Sequence, residues 1–323
     1  MGAPVPGRMW RLTGHWRPSR LGLMWPAVRM RALSPLLLLA TLLLPLPGCG
    51  EGEPPPAPAV PEEDSPYPLT LRDDAGQEVL LEEEPLRIIS LVPAATGIFQ
   101  ALGEGNRLVG RTDYDLDPEL SHLPSVGGGL HPSVERLVGL APDLVVRFDG
   151  ESDQATPAAL DAAGIQHIAV RPDTIGDIRR MIGTLARITD ATEEGERLLT
   201  LMDGELDRVR RLVEGEPPVR VAFILGGDPP WVAGRGTFLH ELIEVAGGEN
   251  VFGDVGPLYS PVSVEEVIYR APTLLLAPDG VGIPSGLAHL PLRRVPTDVQ
   301  APGHRVGSSA VEVARVIHPE RGW

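Results

Sequence analysis

The sequence predicts an α/β fold of two similar lobes, each a parallel sheet covered by helices, joined by a stiff α-helix. Three observations predict it. A fifteen-residue stretch occurs twice at a constant offset of 130: residues 132–146 and 262–276 share Ser133/Ser263, Val134/Val264, Glu135/Glu265, Ala141/Ala271, Pro142/Pro272 and Leu144/Leu274. Short apolar runs of strand type alternate with helical spacing around both copies. Between them, apolar residues recur at the helical period from residue 175 to 213 without a Pro or Gly-rich hinge.

Taken in order, residues 1–48 carry Arg8, Arg11, Arg17, Arg20, Arg29 and Arg31 and no acidic residue, and end in a leucine run and small residues. A positive flank before a short apolar run broken by prolines predicts an export signal and not a spanning helix. Met24 and Met30 are alternative starts that give the usual signal length. Cys49 is the single cysteine, so no disulfide forms within the chain. The run Leu46-Pro47-Gly48-Cys49 resembles a bacterial lipoprotein box, with Pro47 departing from the usual residue, and predicts acylation of Cys49 and a stable membrane anchor. Residues 49–68, rich in Pro, Glu and Gly, make the lipidated tether, since they cannot bury enough apolar surface to fold.

Residues 69–189 form the N-terminal lobe. Alternation over 69–84 predicts a hairpin, and 87–92 a buried parallel strand followed by a loop at 93–96 and a helix that ends at Gly103. A strand at 108–111, a loop holding Asp113, Tyr114 and Asp115, a turn at Gly127-Gly128-Gly129, the first repeat copy and a strand at 167–170 follow. Ile175, Ile178, Ile182, Leu185, Ala186 and Ile188 then make one helical stripe. Residues 190–214 are the backbone helix, with Asp190 and Glu193 as a capping box. At about 1.5 Å per residue it is over roughly 30 Å long. Residues 215–323 form the second lobe: strand 219–225, a Gly-rich loop at 226–231, a helix over 238–246, the second repeat copy and a closing helix over 311–317. The segment 283–304 is poorly patterned and receives no assignment. Strands alternating with helices make both lobes Rossmann-like, with parallel sheets.

Composition excludes several functions. All 28 basic residues are arginine, so no Walker lysine, Schiff-base lysine or kinase-type phosphate lysine exists. A formal charge of −16 argues against nucleic acid, whose binding requires basic groups to displace counterions. Aromatics are 4%, so aliphatic side chains fill the cores, and a chain of 323 residues suffices for one core per lobe. No HExxH, CxxC or GxSxG pattern is present, and no clustered histidines. His131 reads as a solvated loop residue, His240 as a helix residue that packs locally, and Gly307-Ser308-Ser309 as a loop capping the last helix.

Each repeat copy reads as a unit: Ser caps a short helix, Pro stops it, and an apolar run makes a buried strand. A carboxylate falls in the first helical turn of both. From the repeat alone two readings stand open, a first-turn Glu favoured by the helix dipole, or a matched pair of pegs for one partner.

Residues 87–96, 123–127, 135–146, 226–231, 247–252 and 262–266 resemble the substrate-binding proteins of bacterial ABC importers for cobalamin, ferric siderophores and haem, and the cobalamin binders most. The resemblance spans nearly all of residues 86–318. It implies that Glu135 and Glu265 dock on arginines of the membrane permease, which works with an ATPase. It also implies a ligand gap between the lobes touched by Ala95, Tyr114, Leu130, Trp231 and Tyr259; for the last two, plain core packing is the alternative. Gly129 stands where cobalamin binders often carry an aromatic residue. The implied protein is an exported, lipid-anchored monomer that binds a small metal complex, holds no cofactor and makes or breaks no bond. Haem or a ferric siderophore is the alternative cargo, and an exported α/β hydrolase the alternative from another class.

Overall fold

A computed structural model of the chain describes residues 66–150 and 155–323. The export signal, Cys49 and the tether lie outside the described residues. No helix among the described residues is long and apolar enough to cross a membrane.

The first lobe starts with the expected hairpin, β1 (Leu69–Arg72) antiparallel to β2 (Glu78–Leu81). Its turn docks on the sheet edge: the buried Asp73 carboxylate accepts from Gln77 N (2.8 Å) and from Ala169 N (3.0 Å). Then come β3 (Ile88–Ser90), α1 (Pro93–Ala101), β4 (Leu108–Gly110), α2 (Val134–Gly139), β5 (Leu144–Phe148), α3 (Ala155–Ala162) and β6 (His167–Val170). The sheet runs β4-β3-β5-β6 with every pair parallel. Both faces are covered, and β3 and β6 are buried end to end, as an enclosed parallel sheet requires. Strand order reverses beside β3, so a crevice opens past the C-terminal ends of the strands there.

The junction is a pair of helices. Helix α4 (Ile175–Ile188) opens with a capping box in which Thr174 Oγ1 accepts from Asp177 N (3.1 Å) and Asp177 Oδ2 accepts from Thr174 N (2.9 Å). Its start is tied to the second lobe, because Ile175 N donates to Glu241 Oε2 (2.7 Å) and Phe238 N to Asp173 O (2.5 Å). Its end is tied to the first lobe, where Tyr67 Oη donates to Ile188 O and Arg107 Nη2 to Thr189 O (3.3 Å). Helix α5 (Thr192–Val213) then runs back on α4 to the second lobe. The expected rod is therefore α5, but it shares the span with α4. The expected cap at Asp190 is absent: Ala191 is the N-cap without a side-chain bond, and Asp190 takes φ +52°. Asp190 is used to reverse the chain between the helices, one residue too early to reach the first free amides of α5.

The second lobe contains β7 (Val219–Gly226), β8 (Trp231–Ala233), α6 (Phe238–Val245), β9 (Gly248–Asn250), β10 (Tyr259–Pro261), α7 (Val264–Tyr269), β11 (Leu274–Pro278), β12 (Leu292–Val295) and α8 (Val306–Ile317). Its sheet runs β10-β8-β7-β11-β12, with β9 also on β7. Strands β7, β9, β11 and β12 pair in parallel, but β8 and β10 are antiparallel. This lobe thus departs from the expected all-parallel sheet. The cause is local: Gly226 and Gly227 take φ +110° and +89°, and the few residues before Trp231 suffice for a tight reversal but not for a parallel crossover. Helix α8 also starts earlier than expected, so residues 307–309 are helical; Ser308 Oγ donates to Glu205 Oε2 of α5 (3.0 Å).

The largest core is shared by both lobes, and each lobe adds a smaller apolar cluster of its own. A continuous apolar cluster runs from Ile88 and Phe99 through Leu185 and Leu206 to Phe223 and Val313. Separating the lobes would expose it, so the junction resists hinge motion. Packing between α4 and α5 is close enough that a Cβ on Gly195 would stand 2.5 Å from Ala186 Cβ. Gly195→Val is expected to cost about 2–3 kcal/mol by overpacking, read as a lower urea midpoint with an unchanged slope.

Candidate functional site

The residues singled out by sequence fall on the repeat helices α2 and α7, on α1, on the loop after β4 and on the β8–β10 pair. At the tips, the repeat copies are structurally equivalent. Ser133 and Ser263 cap α2 and α7, accepting from Arg136 N (3.4 Å) and Glu266 N (3.1 Å). Leu137 and Val267 are the buried pegs of the two helices, each set in its own small apolar cluster. Ala141 and Ala271 both take a positive φ, 44° and 47°, ahead of the prolines.

Sequence reasoning missed a matched pair of arginines that hold these ends. Arg87 donates from Nε to Ala141 O (2.9 Å) and from Nη2 to Leu140 O (2.6 Å). Arg220 does the same with Ala271 O (3.4 Å) and Arg270 O (2.6 Å). A guanidinium at free C-terminal carbonyls both satisfies them and opposes the dipole. The repeat concealed the pair because the two arginines are 133 residues apart, off the constant offset.

Glu135 and Glu265 are exposed and have no ion-pair partner among the described residues. Their neighbours do: Glu266 bonds Arg270 Nε (2.7 Å), and Arg270 also meets Asp254 and donates to Val251 O (2.6 Å). Arg136 is used on Ser125 O (3.0 Å). Each tip therefore keeps one carboxylate uncommitted.

Tyr114 and Leu130, expected at the gap, lie on the loop after β4. The buried Asp115 carboxylate accepts from Thr112 N (2.7 Å) and Thr112 Oγ1 (2.8 Å), and Ser125 Oγ donates to Asp113 Oδ1 (2.5 Å). This stitching leaves Tyr114 outside, 68% exposed, beside the glycine turn that leads to the exposed Leu130. Leu116, 84% exposed, stands on the same loop and was not anticipated. A side chain at Gly129 would place its Cβ 2.3 Å from Leu91 O, so this loop is folded too tightly on β3 to carry an aromatic there.

Ala95 is a correction. It is wholly buried in the face of α1 that joins the core, and offers no surface to a ligand. Its neighbour Ala94 stands at the boundary instead, with Gly303 of the second lobe against it. A helix turns about 100° per residue, so an error of one position exchanges the gap for the core.

On the second-lobe wall, Trp231 lies opposite Pro261 and Ala233 opposite Tyr259 in the β8–β10 pair. Side chains directly opposite or two apart share a face, so Trp231 and Tyr259 line the same one. Trp231 is 45% exposed, whereas Tyr259 sits deeper, against the core and near Asp173 of the first lobe. Burial, aided by the Asp173 charge, pushes the Tyr259 phenol up to about 12 from an ordinary 10.0. The folded state thus holds this proton more tightly than the unfolded chain. Its contribution to stability is complete below pH 10 and is lost as pH rises through about 12. Tyrosinate absorbance should show a late-titrating phenol that disappears in Tyr259→Phe, with a flatter fall of stability over the same interval; Tyr67, pushed to about 12 by burial and Glu84, stays as the internal reference.

Arg171, directly after β6, is bonded to Asp173 (2.6 Å) and stands near Asp149 (3.8 Å). His304, in the stretch that sequence left unassigned, faces Gly97 of α1. Burial and the adjacent Arg305 lower its pKa, which favours the neutral imidazole. His131 is exposed, and His240 is packed between Asn250 and Glu244, as the sequence indicated. Among the described residues no group of His, Cys, Asp and Glu is arranged to hold a metal ion.

This geometry of two lobes, a shared rigid junction and matched tips has relatives. A family model described as periplasmic binding protein matches residues 88–287. The chain belongs to that family. Its members are solute-binding transport proteins and not enzymes, which removes the hydrolase alternative. A vitamin B12-binding protein of Pectobacterium carotovorum subsp. carotovorum (strain PC1) is 29% identical over 195 residues, 59% of this chain and 71% of its own. An uncharacterised ABC transporter substrate-binding lipoprotein of Bacillus subtilis (strain 168) is 25% identical over 222 residues, 67% of this chain and 70% of its own. Among solved structures, the periplasmic haem-binding protein RhuT of Roseiflexus sp. RS-1, in apo form, is 29% identical with a TM-score of 0.63, covering 72% of this chain and 98% of that one. Relatives of this kind imply a permease and an ATPase as partners.

Proposed function

We propose that this periplasmic binding protein captures a broad, flat metal complex, cobalamin, between its lobes and presents it to the permease of an ABC importer, held to the membrane by a lipid on Cys49. Tyr114, Leu130, Trp231 and Tyr259 grip the cargo; Glu135 and Glu265 dock. The observation that carries the reading is the pair of equivalent tips, each with one carboxylate left unpaired while its neighbours are committed. Aromatic faces and apolar edges suit a corrin or porphyrin, which offers few directed hydrogen bonds. Arg171, after β6, is already neutralised by Asp173 and Asp149, which favours a cargo without carboxylates.

Haem is the second reading, favoured by one observation: the neutral, half-buried imidazole of His304 stands at the lobe boundary, and imidazole suits an iron axial position. Titration of the purified protein with cyanocobalamin, haemin and ferric siderophores, followed by calorimetry and visible spectra, decides the matter. Binding of cyanocobalamin alone is expected. A haemin complex whose spectrum changes in His304→Ala selects haem, and silence toward all three removes the cargo assignment.

A further inference from the structure

We infer that the two tips are unequal and that Tyr269, at the second-lobe tip, is the apolar anchor of the docking surface, fitted to a permease face that carries a cation beside an apolar pocket. The inference rests on the docking reading above and adds to it the contact that holds the complex together. Three residues beyond each free carboxylate, on the same helix face, stands an exposed aliphatic side chain, Val138 after Glu135 and Ile268 after Glu265. One residue further the equivalence breaks. The second lobe has Tyr269, 85% exposed, where the first has Gly139 with open space around it.

The Tyr269 side chain has neither a hydrogen bond nor a ring contact among the described residues. Its helix, however, is held firmly, by Val267 in the core, by Arg220 on its last carbonyls and by the Glu266–Arg270 pair. A large apolar side chain on a rigid mount loses little freedom when covered, which is how aromatic anchors dominate interfaces. The occupant is not a second copy: tip against tip would set Glu265 against Glu265 in a chain of net charge −16. A partner with arginines at matched positions is complementary to both tips, and the aromatic residue distinguishes one tip from the other.

The test is photo-crosslinking in cells of the source organism that produce the full chain with p-benzoylphenylalanine at position 269, at 136 beside Glu135, or at 201 on the exposed side of α5. Position 269 is expected to link to a multi-spanning permease at least about tenfold more than position 201, and to lose that link when Glu265→Arg is added. A permease link at 136 but none at 269 overturns the inference and leaves docking intact. Links at neither position overturn both. A link from 269 to another copy of the chain overturns the inference in favour of self-association.

Discussion

Glu135→Arg combined with Glu265→Arg is expected to abolish uptake by the importer, by more than about 100-fold, while cargo affinity and thermal stability stay as in the parent. Neither carboxylate has a partner among the described residues, so replacement removes no bond seen there. Exposed acid–base pairs are each worth only about 0.2–1 kcal/mol, so losing one should leave most uptake intact. Reversal is a larger change than loss, because on the docking proposal two arginines then meet a cationic partner face and repel at both ends at once. Single reversals should fall between, and unequally if Tyr269 anchors the second-lobe tip. Transport of labelled cargo in cells, set beside calorimetry of the purified variant, separates delivery from capture. Uptake surviving the double reversal would remove the docking role.

Trp231→Ala is expected to weaken cargo binding by roughly 30- to 100-fold, with a shift in melting temperature of only a degree or two. The indole is half exposed and sits at the open end of the face that it shares with Tyr259, so its loss leaves no core cavity. Its contribution is realised only when a flat ligand covers it. Trp231→Phe should recover most of the affinity. An Ala variant that binds like the parent would place the cargo elsewhere in the molecule, and a large loss of stability would return Trp231 to ordinary packing.

Much of the first lobe was legible because its signals are local. The Ser caps and the apolar strand runs are fixed by neighbours within a few residues, and each appears where the pattern put it, whereas the capping box expected at Asp190 is found at Thr174 instead. The second lobe was read less well. Strand β12 has Leu292, Arg293 and Arg294 exposed on the sheet edge and only Val295 buried, so it shows neither alternation nor an apolar run. Strands β8 and β10 have three residues each, too few for periodicity to register, and their direction follows from the glycine turn after β7. Ala95 failed for a different reason, since Ala94 and Ala95 are the same residue type and only the rotation of α1 against the core distinguishes them.

The sequence by itself determined the duplicated unit, the sign and placement of its two carboxylates, the presence of a long helix between the copies and the exclusion of lysine chemistry and of a disulfide within the chain, because these depend on residue identity and short-range spacing. Only the tertiary structure decided that the junction is two helices over one shared core, that Arg87 and Arg220 lock the tips, and which side chains remain uncommitted. Those properties arise from contacts between residues tens to hundreds of positions apart, where burial and pairing depend on what folding brings alongside, and no local pattern encodes that.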